Sequence, residues 1–243
     1  LDYVEGIEIE KWYPMRAEKM VKAGHRAIKM RLGRYPVERE FKVVQSIRKA
    51  VGPGIKLMAD GNGAYTMGNA LKMAQHLRAL DFEFLEEPMP QRSNNYPGYD
   101  VLREKMPLPL AGGEDLDSRE AAKALIDRRA FDIIQPDASL CGGIGEVVFI
   151  SELANLSGIR CYPHCWGADI VIAATVQTLA LVPDPHFGLP TDTPYLELDQ
   201  SENPWREGLA KGQIKVKDGY VTVPRRPGLG IEVDEKLVRK YAV

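Results

Sequence analysis

The 243-residue sequence holds only three cysteines, Cys141, Cys161 and Cys165. An odd number scattered through apolar segments suits reduced, buried thiols better than a disulfide framework. Long hydrophobic runs are missing too. The most apolar stretch, 170–182, contains Thr175, Gln177 and Thr178 and is shorter than the roughly 20 apolar residues that cross a bilayer, so it reads as a buried helix. Charge of one sign is lacking: 32 basic and 34 acidic side chains leave a formal net charge of −2, with no block of like charge. That gives no electrostatic reason to expect a nucleic-acid surface. The opening residues, LDYVEGIEIEK, have neither a basic nor an apolar leader segment, so the cytoplasm is the expected location. What is present, 44% hydrophobic and 27% charged residues, excludes disorder and collagen-like repeats and can bury a substantial core.

Short β-branched and aliphatic runs alternate with longer stretches of helical period, the signature of parallel βα units. Strand-like runs fall at 25–32, 55–60, 82–86, 108–114, 131–137, 159–164 and 195–198, and helix-like stretches at 37–51, 67–80, 118–129 and 145–157. Ser118 with Glu120, and Glu146, mark helix starts, whereas Gly52 and Gly158 mark helix stops. Polar residues at the strand ends sit at 29, 60, 86, 114, 137, 164 and 197, with successive differences of 31, 26, 28, 23, 27 and 33. Such regularity favours an α/β fold of the TIM-like barrel kind, in which every strand end faces one mouth. Eight strands close a barrel, seven are counted, and 13–24 reads as the helix after an earlier strand. The expectation is a barrel at 1–207 that lacks its first strand, cut from a longer polypeptide. A second segment, 208–243, contains a hairpin at 213–223 that turns at Lys217-Asp218-Gly219-Tyr220.

Asp60, Glu86 and Glu114 end three consecutive strand-like runs. Three carboxylates at one mouth repel unless a cation neutralises them, and oxygen ligands suit a hard ion such as Mg²⁺. Asn62 and Glu87 stand beside them as supporting residues. Lys29 and Arg31 in IKMRLG share one face of a strand and suit either a salt bridge to those carboxylates or contact with a substrate carboxylate. Asp137 and His164 end adjacent runs. A carboxylate on one imidazole nitrogen fixes the tautomer and leaves the other nitrogen to take a proton. Glu197 ends the last run and could bond a substrate carboxylate. Two other patterns are weak: GGIG at 142–145 lacks a Walker lysine, and strand alternation separates Cys161 from His164, which disfavours zinc.

Together these motifs resemble the mandelate racemase subgroup of the enolase superfamily, from about residue 17 to the C-terminus and including LEEP, QPD…CGGI, PHCWG and PGLGIE. The resemblance implies a (β/α)₇β barrel and an N-terminal α+β capping domain absent from this chain, against which the segment from Gly208 would pack. It also implies Mg²⁺ on Asp60, Glu86 and Glu114. By the same resemblance Asp137 and His164 are the base dyad that abstracts the proton α to a carboxylate. Lys29 neutralises the carboxylate or enediolate, and Glu197 bonds the carboxylate.

Many members carry a second catalytic lysine where this chain has Arg31. Arginine stays protonated, with a pKa above about 12, so two-base racemisation is disfavoured. The resemblance then points to a lyase that dehydrates a sugar acid to a 2-keto-3-deoxy acid. A lactone cycloisomerase remains open, because PHCWG followed by ELDQSENPWRE also resembles sugar-acid lactone cycloisomerases. So do a racemase or epimerase and a catalytically silent metal-binding barrel. Tyr65, Asn94, Asn95, Tyr96 and Trp166, with Asn62, are candidate contacts for a polyhydroxylated small-molecule carboxylate. The expected assembly is a homo-oligomer, with neither nucleic acid nor membrane as partner.

Overall fold

The computed structural model describes residues 8–91, 96–183, 194–201, 203–210 and 214–242. Helices and strands alternate as the sequence predicts: α1 (Ile9–Lys22), β1 (Ala27–Arg31), α2 (Val37–Val51), β2 (Lys56–Asp60), α3 (Met67–Ala79), β3 (Phe82–Glu86), α4 (Tyr99–Lys105), β4 (Leu110–Gly112), α5 (Arg119–Asp127), β5 (Ile133–Ile134), α6 (Ile144–Leu156), β6 (Arg160–Cys161) and α7 (Asp169–Leu179). The six strands follow chain order in one sheet, an α/β arrangement. Contacts divide the chain into two units, Leu1–Gly113 with Ala124–Ile133, and Glu114–Lys123 with Ile134–Val243.

In the first unit, β1 pairs parallel with β2, β2 with β3, and β3 with β4. The register sets Arg31 beside Asp60 and Asp60 beside Glu86. β2 is buried from Leu57 to Asp60, so side chains on both of its alternating faces are covered, as in parallel sheets generally. α2 shows why its residues form a helix. Val37, Glu40, Val43, Val44 and Ile47 make one buried stripe, Glu38 and Glu40 occupy the first turn, and Arg48 and Lys49 the last, complementing the helix dipole. Gly52, at φ 74°, ends it.

In the second unit, β6 continues β5 through Tyr162 N–H, which donates to Ile134 O at 3.1 Å. Farther along, Asp137 and His164 form an isolated parallel bridge. The runs at 131–137 and 159–164 are therefore shorter as strands than expected, and the ladder reappears only at the functional pair. Residues 195–198 are not a strand: they run irregular, with Leu196 and Leu198 packed on a cluster of Cys165, Ile172 and Val176. Side-chain burial, not a ladder, is what their alternation encoded. α7 buries Ile172, Ala173, Thr175, Val176 and Thr178 but leaves Ile170 exposed, so the expected buried helix is one-sided.

Beyond it come α8 (Pro204–Gly208), the hairpin β7 (Val216–Lys217) and β8 (Tyr220–Val221), and α9 (Glu235–Tyr241). The hairpin turns where expected, with Asp218 and Gly219 both at positive φ, although Gln213 lies outside the described residues. The segment is tied to α7: Gln177 Nε2 donates to Pro224 O at 2.9 Å, and Asp169 accepts from Ala210 N–H at 2.6 Å. All three cysteines are free and buried, and burial raises the thiol pKa of Cys161 and pushes that of Cys141 up to about 11. No helix among the described residues is long and apolar enough to cross a membrane.

Candidate active site

In the first unit the carboxyl ends of β1, β2 and β3 carry Lys29, Arg31, Asp60 and Glu86. Strand alternation buries Ile28 and Met30 on one face of β1 and turns Lys29 and Arg31 to the other. Lys29 Nζ donates to both Glu86 carboxylate oxygens at 2.7 Å. The guanidinium of Arg31 lies 3.4 Å from Asp60 Oδ2. Both carboxylates are buried, and a buried charge is tolerated only beside a partner or a cation. Asn62, in a left-handed conformation at φ 40°, donates its backbone N–H to Asp60 Oδ1 at 2.8 Å. Glu87 is buried and accepts from Tyr96 O–H at 2.7 Å and Gly113 N–H at 2.9 Å, which makes it a brace for the β3 and β4 ends.

In the second unit His164 is the hub. Its Nδ1 meets Asp137 Oδ2 at 2.7 Å, while Nε2 faces Glu114 at 3.4 Å and Glu197 at 3.8 Å. Asp137 is held further by Ser139, whose N–H and O–H donate to Oδ1 at 2.7 and 2.6 Å. Burial pushes the Asp137 carboxyl up, but the hydrogen bonds from His164 and Ser139 outweigh it and hold the group below its ordinary pKa. An ionised Asp137 fixes the Nδ1–H tautomer and leaves Nε2 as the basic nitrogen. Glu197 Oε2 accepts from Cys165 N–H at 2.9 Å. Glu114 sits in the turn two residues past β4, not in the strand as expected.

The other expected contacts are placed differently from one another. Tyr65 is buried and its hydroxyl donates to Glu40, and Tyr96 gives its hydroxyl to Glu87, so both phenols brace the scaffold. Trp166 is 66% exposed in the turn before α7. Asn94 and Asn95 lie outside the described residues. Three residues escaped sequence reasoning: Ser139, Arg34 and Glu40. Glu40 left a signal, an acid within the apolar stripe of α2. It is buried, and its Oε1 accepts the N–H groups of Gly33, Arg34 and Tyr35 at 2.8, 2.9 and 3.0 Å. The loop so pinned borders a cleft of about 500 Å³, lined by Arg31, Gly33, Arg34, Gly61, Asn62 and Ala64.

A hard divalent cation suits the donor types of Asp60, Glu86 and Glu114, because carboxylate oxygens are what Mg²⁺ prefers. Lys29 and Arg31 supply positive charge to the two buried ones. Among the described residues no group of three or more His, Cys, Asp or Glu side chains is gathered closely enough to hold a metal ion.

Residues 12–237 match the family described as enolase C-terminal domain-like. The chain therefore belongs to this family, and its relatives include mandelate racemase and muconate lactonizing enzyme-like members of the enolase superfamily. It is 34% identical over 220 residues to a D-galactarolactone cycloisomerase of Agrobacterium fabrum, covering 90% of this chain and 57% of the relative. Against an arabinonate dehydratase of Saccharolobus solfataricus it is 30% identical over 242 residues, covering 98% and 61%. An L-talarate dehydratase from Polaromonas sp. JS666, solved in complex with Mg and L-glucarate, superimposes with a TM-score of 0.79 at 26% identity, covering 97% of this chain and 60% of that one. The chain thus spans about three-fifths of the length of the curated relatives it matches.

Proposed function

We propose that the protein carrying this chain abstracts the proton α to the carboxylate of a sugar acid and eliminates the β-hydroxyl, giving a 2-keto-3-deoxy acid. The observation that carries the reading is the Asp137–His164 pair, with Nδ1 fixed at 2.7 Å and Nε2 turned toward two further carboxylates. Asp60, Glu86 and Glu114 are assigned to hold Mg²⁺, which supplies positive charge to a substrate carboxylate as its α-carbon loses a proton.

His164 Nε2 takes the α-proton and becomes imidazolium, stabilised by Asp137. Lys29 offsets the negative charge that develops on the substrate oxygens, an effect that counts for more in a site shielded from water. The electron pair then expels the β-hydroxyl, the imidazolium returns its proton to that oxygen as water leaves, and the enol tautomerises to the ketone. Glu197 orients the carboxylate end. Arg31 holds charge and moves no proton, so one base serves the whole cycle.

Lactone ring opening is the second reading, favoured by the 34% identity to a cycloisomerase. Both reactions begin with the same proton and differ in the leaving oxygen. The test is turnover of the full-length protein with Mg²⁺ against aldonates, aldarates and their lactones, following keto-deoxy products and solvent-deuterium exchange. A keto-deoxy product from a free acid is expected, and ring opening alone would move the assignment to cycloisomerase. A His164→Asn variant exchanging the α-proton at the parent rate would remove the proposed base.

A further inference from the structure

Residues 195–198 run irregular, so the placement of Glu197 depends on side-chain contacts in place of a ladder. Its neighbours supply them. Leu196 and Leu198 pack on the buried cluster that contains Cys165, and the Tyr195 ring meets that of Tyr162 edge to face at 5.5 Å. Between the two leucines, Glu197 Oε2 accepts Cys165 N–H at 2.9 Å and lies 3.8 Å from His164 Nε2. Cys165 is thus part of the cluster, bonds Glu197 through its N–H, and directly follows the proposed base. The cluster has a second cover. Ile214, Val221 and Val223, from the C-terminal hairpin and its flanks, pack on it as well. β7 and β8 are two residues each, too short to be stable alone, so this packing and the Gln177 bonds to Pro224 O and Leu229 O at 2.9 and 3.3 Å help to hold the hairpin. Close-packed interiors transmit strain, so a shift of the hairpin reaches the residues on either side of Glu197 and the one after His164 through one set of contacts.

We propose that the C-terminal hairpin is a positioning element for the His164–Glu197 pair, with Val221 as the positioning residue that acts through the cluster on Glu197. The inference rests on the reading of His164 as the base and Glu197 as the group that orients the substrate carboxylate. It assigns a role to apolar side chains that proton abstraction leaves unused.

The experiment uses the full-length protein with Mg²⁺ and its Val221→Ala, Val221→Ile and Lys217→Ala variants, together with Glu197→Gln and the Glu197→Gln, Val221→Ala double variant. Hydrogen exchange of the Cys165 amide, followed by mass spectrometry, reports the bond to Glu197 without any substrate. The kinetic constants kcat and KM are taken on the aldonate or aldarate that the parent turns over. In Val221→Ala the Cys165 amide is expected to exchange about tenfold faster while the α6 amides keep their parent rates. KM should rise about fivefold with kcat within about twofold of the parent, the pattern of lost substrate binding. Val221→Ile keeps the apolar contact and should keep parent values, as should Lys217→Ala, an exposed side chain on the same hairpin. Added to Glu197→Gln, Val221→Ala should change KM less than about twofold, because the group it acts through is already lost. An unchanged Cys165 amide, or an equal KM loss with and without Glu197, would overturn the inference while leaving proton abstraction standing. Faster exchange throughout α6 would make the hairpin a matter of overall stability and overturn it too. Faster Cys165 exchange alone, with no sugar acid turned over by the parent, would keep the positioning role and remove the catalytic reading.

Discussion

Glu40 offers the sharpest test of how the first unit is held together. Its carboxylate is buried, accepts three backbone N–H groups on one oxygen and receives the Tyr65 hydroxyl on the other. Net hydrogen bonds to a charged group contribute about 1.5–3 kcal/mol each. The full value does not apply three times, because the bonds share one oxygen and Arg34 is exposed, so water can replace part of what is lost. Glu40→Ala is expected to cost about 3–5 kcal/mol, counting the stranded Tyr65 hydroxyl. Glu40→Gln keeps an oxygen for the loop, must present its amide to Tyr65, and is expected to cost about 1–2 kcal/mol. Tyr65→Phe should lose about 1 kcal/mol, and less when added to Glu40→Ala, since the partner is already gone. Urea unfolding of the full-length protein and its variants measures all of these. A Glu40→Ala variant within 1 kcal/mol of the parent, an allowance about the size of an ordinary single-mutation effect, would refute the claim that this carboxylate fixes the loop.

Three further outcomes follow from other sites. The folded pKa of Asp137 is depressed, so its contribution to stability is present above the ordinary carboxylate value near 3.9 and is lost as pH falls through the folded value. Urea midpoints of the parent and Asp137→Asn, measured from pH 7 down to pH 3, should converge at the acid end, and a constant gap would contradict the assignment. Gly112→Ala places a Cβ 2.6 Å from the Phe131 ring and 2.9 Å from Glu87 Cγ, and about 1–3 kcal/mol of overpacking should appear as a lower melting temperature. Arg48 donates to the carbonyls of Leu80, Gly52, Ile55 and Asp81 at 2.9, 2.8, 2.7 and 3.0 Å. Arg48→Met should destabilise by about 2–4 kcal/mol, and Arg48→Lys should recover little, because an ammonium cannot fork to four acceptors. Full recovery by lysine would show that charge alone matters.

Sequence by itself determined the alternation of strands and helices, because burial on both sheet faces and helical period are written into residue spacing. α2 at Val37–Val51 and β3 at Phe82–Glu86 have the bounds read from the sequence. It also named Lys29, Asp137 and His164, since polar residues at the ends of apolar runs stand out. Short helices were harder. α4, α8 and α9 carry too few turns to show a period, and it is the structure that shows Asn203 and Asp234 capping the last two. Tertiary structure alone decided which partners these residues meet. Strand length depends on a neighbour offering a ladder, so residues 195–198 became an irregular packed segment. The hydroxyls of Tyr65 and Tyr96 went to Glu40 and Glu87, positions 25 and 9 residues away, because burial obliges each to find an acceptor and only the folded chain supplies one. The same obligation brings the 33–35 loop onto Glu40, whereas Ser139 meets Asp137 only two residues away, in a local turn.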